Sequence, residues 1–195
     1  QNEERRQLEA TLAKLVRALP DQERRVVQYH YYHALDFTEI AKLLDELGVE
    51  NYMIDISGEF RTRGFNERSE PWQIGIERPD AAARTAQLVV PLSNMSLATS
   101  GDYRNFRIEN GVRLSREIDP KTGRPIQRKL ASATIITERC TFADAYATAL
   151  MVLGPEKALA LANEKGLAVY LLVRNDSGGF DELRSAKFSG RETKQ

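Results

Sequence analysis

Asp144 and Thr148 are the two residues of this 195-residue chain whose types and spacing point most directly to chemistry. They stand four apart in Thr141-Phe142-Ala143-Asp144-Ala145-Tyr146-Ala147-Thr148-Ala149-Leu150. On a helix they share one face, about one turn apart. A carboxylate and a hydroxyl are hard oxygen donors, the kind Mg²⁺ prefers, and Mg²⁺ often keeps a phosphate as a further partner. The same residues have a plainer reading. Thr141-x-x-Asp144 has the form of a capping box, in which the carboxylate only closes the start of its helix. Upstream, Ala98 to Phe106 and Ile118 to Pro125 are loop-like runs of small, polar and turn-forming residues. For Ser100-Gly101-Asp102 the plain alternative is an ordinary turn. His30 and His33 are within reach of one metal if helical, but nothing supplies a third ligand. The single cysteine, Cys140, excludes an internal disulfide and a cysteine-based zinc site, and reads as a small, partly buried hydrophobe.

The elements that must hold these residues follow from periodicity. Leu8, Leu12, Leu15, Val16 and Leu19 mark an amphipathic helix, and Pro20-Asp21 ends it and starts another. Asp36-Phe37-Thr38-Glu39 has the form of a capping box, followed by Ile40, Leu43, Leu44 and Leu47 on one face and Gly48 as a stop. From Asn51 the period changes to two. Strands are expected at Tyr52–Ser57, Trp72–Glu77, Gln87–Leu92, Arg104–Glu109, Ala133–Thr137 and Leu167–Val173. Turns at Arg63-Gly64, Asn110-Gly111 and Thr122-Gly123 favour antiparallel hairpins. Helices are expected at Phe142–Leu153 and Pro155–Glu164, stopped by Gly154 and Gly166. Strands, then helices, then one strand argue an α+β fold with a mostly antiparallel or mixed sheet, preceded by a small all-α segment. The boundary is placed between residues 48 and 49.

Lys+Arg and Asp+Glu both number 28, so net charge offers no reason to expect a nucleic acid or an acidic membrane. No apolar run approaches the ~20 residues needed to span a bilayer. The first thirty residues are charged throughout and carry no secretory signal pattern. The compartment is left unassigned.

Several pieces occur in a fixed order over about 140 residues: Gly48-Val49-Glu50-Asn51-Tyr52-Met53-Ile54-Asp55-Ile56-Ser57-Gly58-Glu59, then Ser93-Asn94, Ala98-Thr99-Ser100-Gly101-Asp102-Tyr103, Ile118-Asp119-Pro120-Lys121-Thr122-Gly123, Ala143 to Leu150, and Leu153-Gly154. In this order they resemble the carboxy-terminal half of the ApbE family, the FAD:protein FMN transferases, from about Leu47 to Phe188. The resemblance implies a Mg²⁺-dependent transferase that cleaves the pyrophosphate of FAD. FMN moves onto a threonine hydroxyl of a flavoprotein subunit of a membrane redox complex, and AMP leaves. It implies Asp144, Thr148 and a backbone carbonyl at Glu39 as metal donors, and Asp36, Lys42, Ser100, Gly101, Asp102 and Ile118 at the flavin nucleotide. Where the family carries a histidine three residues before the aspartate of Asp-Pro-x-Thr-Gly, this chain has Arg116, which stays protonated and cannot be a general base. Arg128 stands where relatives often carry a second histidine. The family's Asp-x-x-Gly-Ile-Ala-Lys-Gly is represented by Asp36-Phe37-Thr38-Glu39-Ile40-Ala41-Lys42, without its glycines. The resemblance also implies a domain truncated at its amino end, with a homodimer as one way to cover the exposed face, in a family usually exported or membrane-anchored.

Residues 5–44 resemble the start of region 4 of a bacterial sigma factor of the flagellar type, carried by Ala18 to Val27 and Leu35 to Leu44. The helix that would enter the major groove does not follow. Residues 1–48 hold seven basic and nine acidic side chains, a net of −2 and the wrong sign for a phosphate-binding face. No nucleic-acid partner is therefore expected. The two resemblances overlap at residues 36–42, which implies a chimeric chain.

Overall fold

The computed structural model describes residues 37–79, 85–103, 106–109, 112–115, 117–126 and 128–191. The chain divides into two compact units, Gln1–Val49 and Glu50–Gln195. The described part of the first is helix α1, Phe37–Glu46. It buries Ile40, Ala41 and Leu44 and exposes Glu39 and Lys42, the division its apolar spacing predicts. Gly48 ends it with φ 73°, and the Val49 N–H donates to the Leu44 carbonyl at 2.9 Å. From there the chain runs on through residues 49–51 to the first strand.

The second unit has the α+β architecture expected from sequence. Its elements are β1 (Tyr52–Ile56), β2 (Glu59–Arg63), β3 (Trp72–Glu77), β4 (Ala86–Leu92), β5 (Ser96–Gly101), β6 (Phe106–Glu109), β7 (Val112–Ser115), β8 (Ile118–Asp119), β9 (Arg124–Pro125), β10 (Leu130–Thr137), α2 (Cys140–Leu153), α3 (Pro155–Glu164), β11 (Ala168–Arg174) and β12 (Phe180–Arg184). Six strands form one antiparallel sheet in the order β1-β2-β5-β10-β11-β12. The pairs β3–β4, β6–β7 and β8–β9 are separate antiparallel ribbons.

Strand β10 lies inside the sheet, and its first seven residues are all buried, so both of its faces are covered. One face packs against α2 and α3 through Ala98, Ala133, Ile135, Val169 and Leu171. The other packs against β3 and β4 through Leu97, Ile136, Ala168, Tyr170 and Leu172, with Phe188 closing it. Helix α2 turns Ala143, Ala147, Leu150 and Met151 inward. Alanines at two successive turns let the helix backbone come close to the sheet, while Leu150 and Met151 supply apolar burial of about 1.5–3 kcal/mol each.

The structure departs from the sequence reading in three places that matter for function. The run Ala98 to Phe106 is not a loop throughout, since Ser96–Gly101 is strand β5, paired with both β2 and β10. Small residues there hide the strand pattern, and the pairing partners create it. The first hairpin turns at Ser57-Gly58, not Arg63-Gly64, because β2 pairs back onto β1. Gly64 instead packs its backbone against Asn51, and a Cβ there would overlap the Asn51 side chain. Finally, α2 begins at Cys140 with Arg139 as its N-cap and no side-chain cap bond. Thr141 is thus inside the helix, and the capping-box reading of Asp144 is removed.

Candidate functional site

Helix α2 has one buried and one exposed side, and Asp144 and Thr148 stand on the exposed side. The Thr148 Oγ1 lies 3.0 Å from the Ser100 Oγ of β5. Ser100 is on the helix-facing side of its strand, as its neighbours in register require: Ala98 faces Ile135, and Ser100 faces Ala133. The same side carries Glu59 of β2. Burial first, and the Asp144 charge second, raise the Glu59 carboxyl above the ordinary carboxylate range. Cys140 donates its thiol to Glu59 Oε2 at 3.5 Å. Burial, with the Glu59 carboxylate beside it, pushes that thiol up to about 12, so Cys140 is protonated and unreactive at neutral pH. The exposed side of α2 thus offers oxygen donors only. Among the described residues no cluster of three or more His, Cys, Asp or Glu is placed to hold a metal ion. Asp144 and Thr148 fit a cation that completes its shell with water or phosphate oxygens, as Mg²⁺ does.

The other expected residues separate. Asp102 is buried, and its carboxylate takes both guanidinium N–H groups of Arg174, Nη1 to Oδ2 at 2.8 Å and Nη2 to Oδ1 at 2.5 Å. Each of its oxygens thus accepts from Arg174, which makes an ion pair inside the fold. Gly101 is required by close packing: a Cβ would overlap the Tyr103 ring and lie 3.1 Å from the Ala131 carbonyl. Ile118 is exposed at the start of the β8–β9 ribbon. Below it, Asp119 holds the turn by accepting the Lys121 N–H on Oδ1 at 2.9 Å and the Gly123 N–H on its carbonyl at 2.8 Å. Arg128 lies 4.0 Å from Asp119 Oδ2 and packs against Gly154, so it ties this ribbon to the end of α2. In the first unit, Lys42 lies 3.8 Å from Glu46 on the exposed side of α1, where Glu39 also sits. Asp36, Arg116, His30 and His33 lie outside the described residues.

The sequence reading missed a cavity. On the face opposite α2 lies a concavity of about 510 Å³, lined by Asp55, Thr99, Ser100, Gly101, Glu77 and Tyr103 among others. It includes neither Asp144 nor Thr148. Asp55 had a signal, since it alternates with buried Ile54 in β1 and so lies on the other face of the strand. The packing that brings Glu77 of β3 to the same cavity had none.

The ApbE family model matches residues 34–171. The chain is 46% identical over 158 residues to a FAD:protein FMN transferase of Haemophilus influenzae, covering 80% of this chain and 46% of that protein. It is 42% identical over 149 residues to the FAD:protein FMN transferase of Vibrio cholerae, covering 76% of this chain and 44% of that protein. The fold is similar to the crystal structure of the flavinyl transferase ApbE of Pseudomonas stutzeri in its apo form, at a TM-score of 0.69 and 40% identity. That match covers 79% of this chain and 47% of the other. The chain therefore spans about half the length of the relatives it matches. The stretch 36–42, which resembles two families, falls within the ApbE match. The remainder of the sigma-factor resemblance lies mostly outside the described residues.

Proposed function

Because this chain belongs to the ApbE family, we propose that it acts in FAD:protein FMN transfer, with Asp144 and Thr148 as the side chains that hold Mg²⁺. The reaction proposed joins a threonine hydroxyl oxygen to the phosphorus of the FMN half of FAD, breaks the pyrophosphate bond, and releases AMP. Bound Mg²⁺ supplies neutralisation of phosphate charge, which phosphoryl transfer needs more than covalent help. The observation that carries the reading is the exposure of Asp144 and Thr148 side by side on α2, in a helix whose start needs neither as a cap. Ile118 offers an exposed apolar side chain for the flavin nucleotide. Ser100 and Gly101 stand at the end of β5, where the cavity opens. Asp36, Lys42 and the Glu39 carbonyl are assigned to the same ligands by correspondence, since they fall within the matched span. The acceptor class we assign is a flavoprotein subunit of a membrane redox complex. No helix among the described residues is long and apolar enough to cross a membrane.

Arg116 stands at the family's histidine position and cannot take the proton of the acceptor hydroxyl. General-base assistance contributes roughly 10²–10⁴-fold. The chain is therefore expected to bind FAD with Mg²⁺ yet flavinylate a threonine-bearing acceptor slowly, and Arg116→His should raise the rate within that range. Calorimetry with Mg²⁺ and FAD on the chain and on Asp144→Ala tests the site. In-gel flavin fluorescence tests transfer, and sedimentation at micromolar concentration tests the homodimer. Unchanged Mg²⁺ affinity in Asp144→Ala overturns the metal assignment. Equal flavinylation by the chain and by Arg116→His overturns the role given to residue 116.

A further inference from the structure

The Ser100 and Thr148 hydroxyls, 48 residues apart in sequence, meet at 3.0 Å, and either oxygen can be the donor. What sets the direction is the job given to Thr148. A neutral hydroxyl that offers a lone pair to a cation must place its proton on another acceptor, and such outer partners orient metal ligands. The surroundings make this contact well defined. Ser100 is held by the pairing of β5 with β10, where Ala133 is its partner. Thr148 follows Ala147, which is fully buried against the sheet together with Ala98 and Ala133. Small side chains on both sides fix the separation of β5 and α2 at the point where the hydroxyls meet.

We propose that Ser100 is a positioning residue: its Oγ accepts the proton of Thr148 Oγ1 and so turns the Thr148 lone pairs outward, toward a divalent cation shared with Asp144. This rests on the reading of Asp144 and Thr148 as the Mg²⁺ donors. It changes the part expected for Ser100 from contact with the nucleotide to orientation of a metal donor.

The test uses the full chain and Mn²⁺ as a paramagnetic stand-in for Mg²⁺, with free Mn²⁺ measured by electron paramagnetic resonance. Ser100→Ala should weaken Mn²⁺ binding roughly 10- to 100-fold. Ser100→Thr, which keeps the hydroxyl, should restore it, and the metal-free melting temperature should stay the same in both. In a Thr148→Ala background, Ser100→Ala should cost nothing further, because its effect runs through Thr148. Unchanged Mn²⁺ affinity in Ser100→Ala, with affinity lost in Asp144→Ala, overturns this inference and leaves the metal reading standing. A further loss in the Thr148→Ala background makes Ser100 a ligand in its own right and also overturns it. So does a weakened Ser100→Ala whose melting temperature falls and which Ser100→Thr does not rescue, since that is a structural effect. If the chain itself binds no Mn²⁺, or Asp144→Ala binds it equally well, the metal reading fails and this inference fails with it.

Discussion

The two faces of the six-stranded sheet are built on opposite packing rules. On the helix face Ala98, Ala133, Ala143 and Ala147 leave no room between α2 and the strands, and all four are at most 1% exposed. On the other face Ile74, Ile76, Leu97, Tyr170 and Phe188 hold the β3–β4 ribbon off the sheet, and a cavity of about 510 Å³ remains beside them. Small residues place side chains accurately, so Thr148 of α2 and Ser100 of β5 meet at hydrogen-bond distance. Large residues make space, so Asp55 and Glu77 both line a concavity. The end of β5 belongs to both faces, through Ser100 on the helix side and Thr99 and Gly101 at the cavity.

The largest effect is expected where the faces join. Arg174→Ala leaves the Asp102 carboxylate buried without its guanidinium partner, and removing one member of such a pair costs about 3–5 kcal/mol. Denaturant unfolding measures this, and an added Asp102→Asn should recover part of it. A cost near zero would mean that water reaches Asp102, and the seam between the faces would then be open.

Next, the packing contrast can be broken directly by comparing Leu150→Ala with Leu97→Ala. Both side chains are buried, but Leu97 borders the cavity and Leu150 does not. Leucine truncations cost about 2–5 kcal/mol, rising with the space left empty. Leu150→Ala should fall near the top of that range and Leu97→Ala near the bottom, because the space left at Leu97 joins a cavity that solvent can fill. Equal costs would show that the two faces are packed alike.

Gly101→Ala sharpens the contrast at the point both faces share. The added methyl meets the Tyr103 ring and the Ala131 carbonyl, so an overpacking cost of about 1–3 kcal/mol is expected. Tyr103→Ala in the same chain should relieve most of it, which a double-mutant cycle would read.

The smallest effect is electrostatic. The Glu59 carboxyl is raised by burial and by Asp144, so the folded state holds its proton more tightly than the unfolded chain does. That contribution to stability is full below the unfolded value of about 4.3 and is lost as pH rises through the folded value. Glu59→Gln should therefore gain stability relative to the parent chain as pH rises from 4 toward 8. Thermal melts across that range would show the gap widening. A constant gap would mean that Glu59 is solvated, and that the helix face is looser than its packing suggests.

Much of this arrangement was legible without coordinates. The strand pattern at Trp72–Glu77, the glycine stops at positions 48, 154 and 166, and the four-residue spacing of Asp144 and Thr148 are local patterns, and a local pattern acts through the backbone of its own segment. They were enough to set the α+β class and to put Asp144 and Thr148 on one side of one helix. Strand β5 was not legible, because Ser96-Leu97-Ala98-Thr99-Ser100-Gly101 has little strand propensity of its own and is a strand only between β2 and β10. For the same reason no spacing could pair Asp102 with Arg174, or set Ser100 against Thr148. Those contacts depend on sheet register and on the approach of a helix to a strand 48 residues away, and both are set by side chains from several elements packing at once. Residue types determined which atoms could hold an ion and which could not act as a base. Tertiary structure alone decided which of those atoms stand close enough to act together.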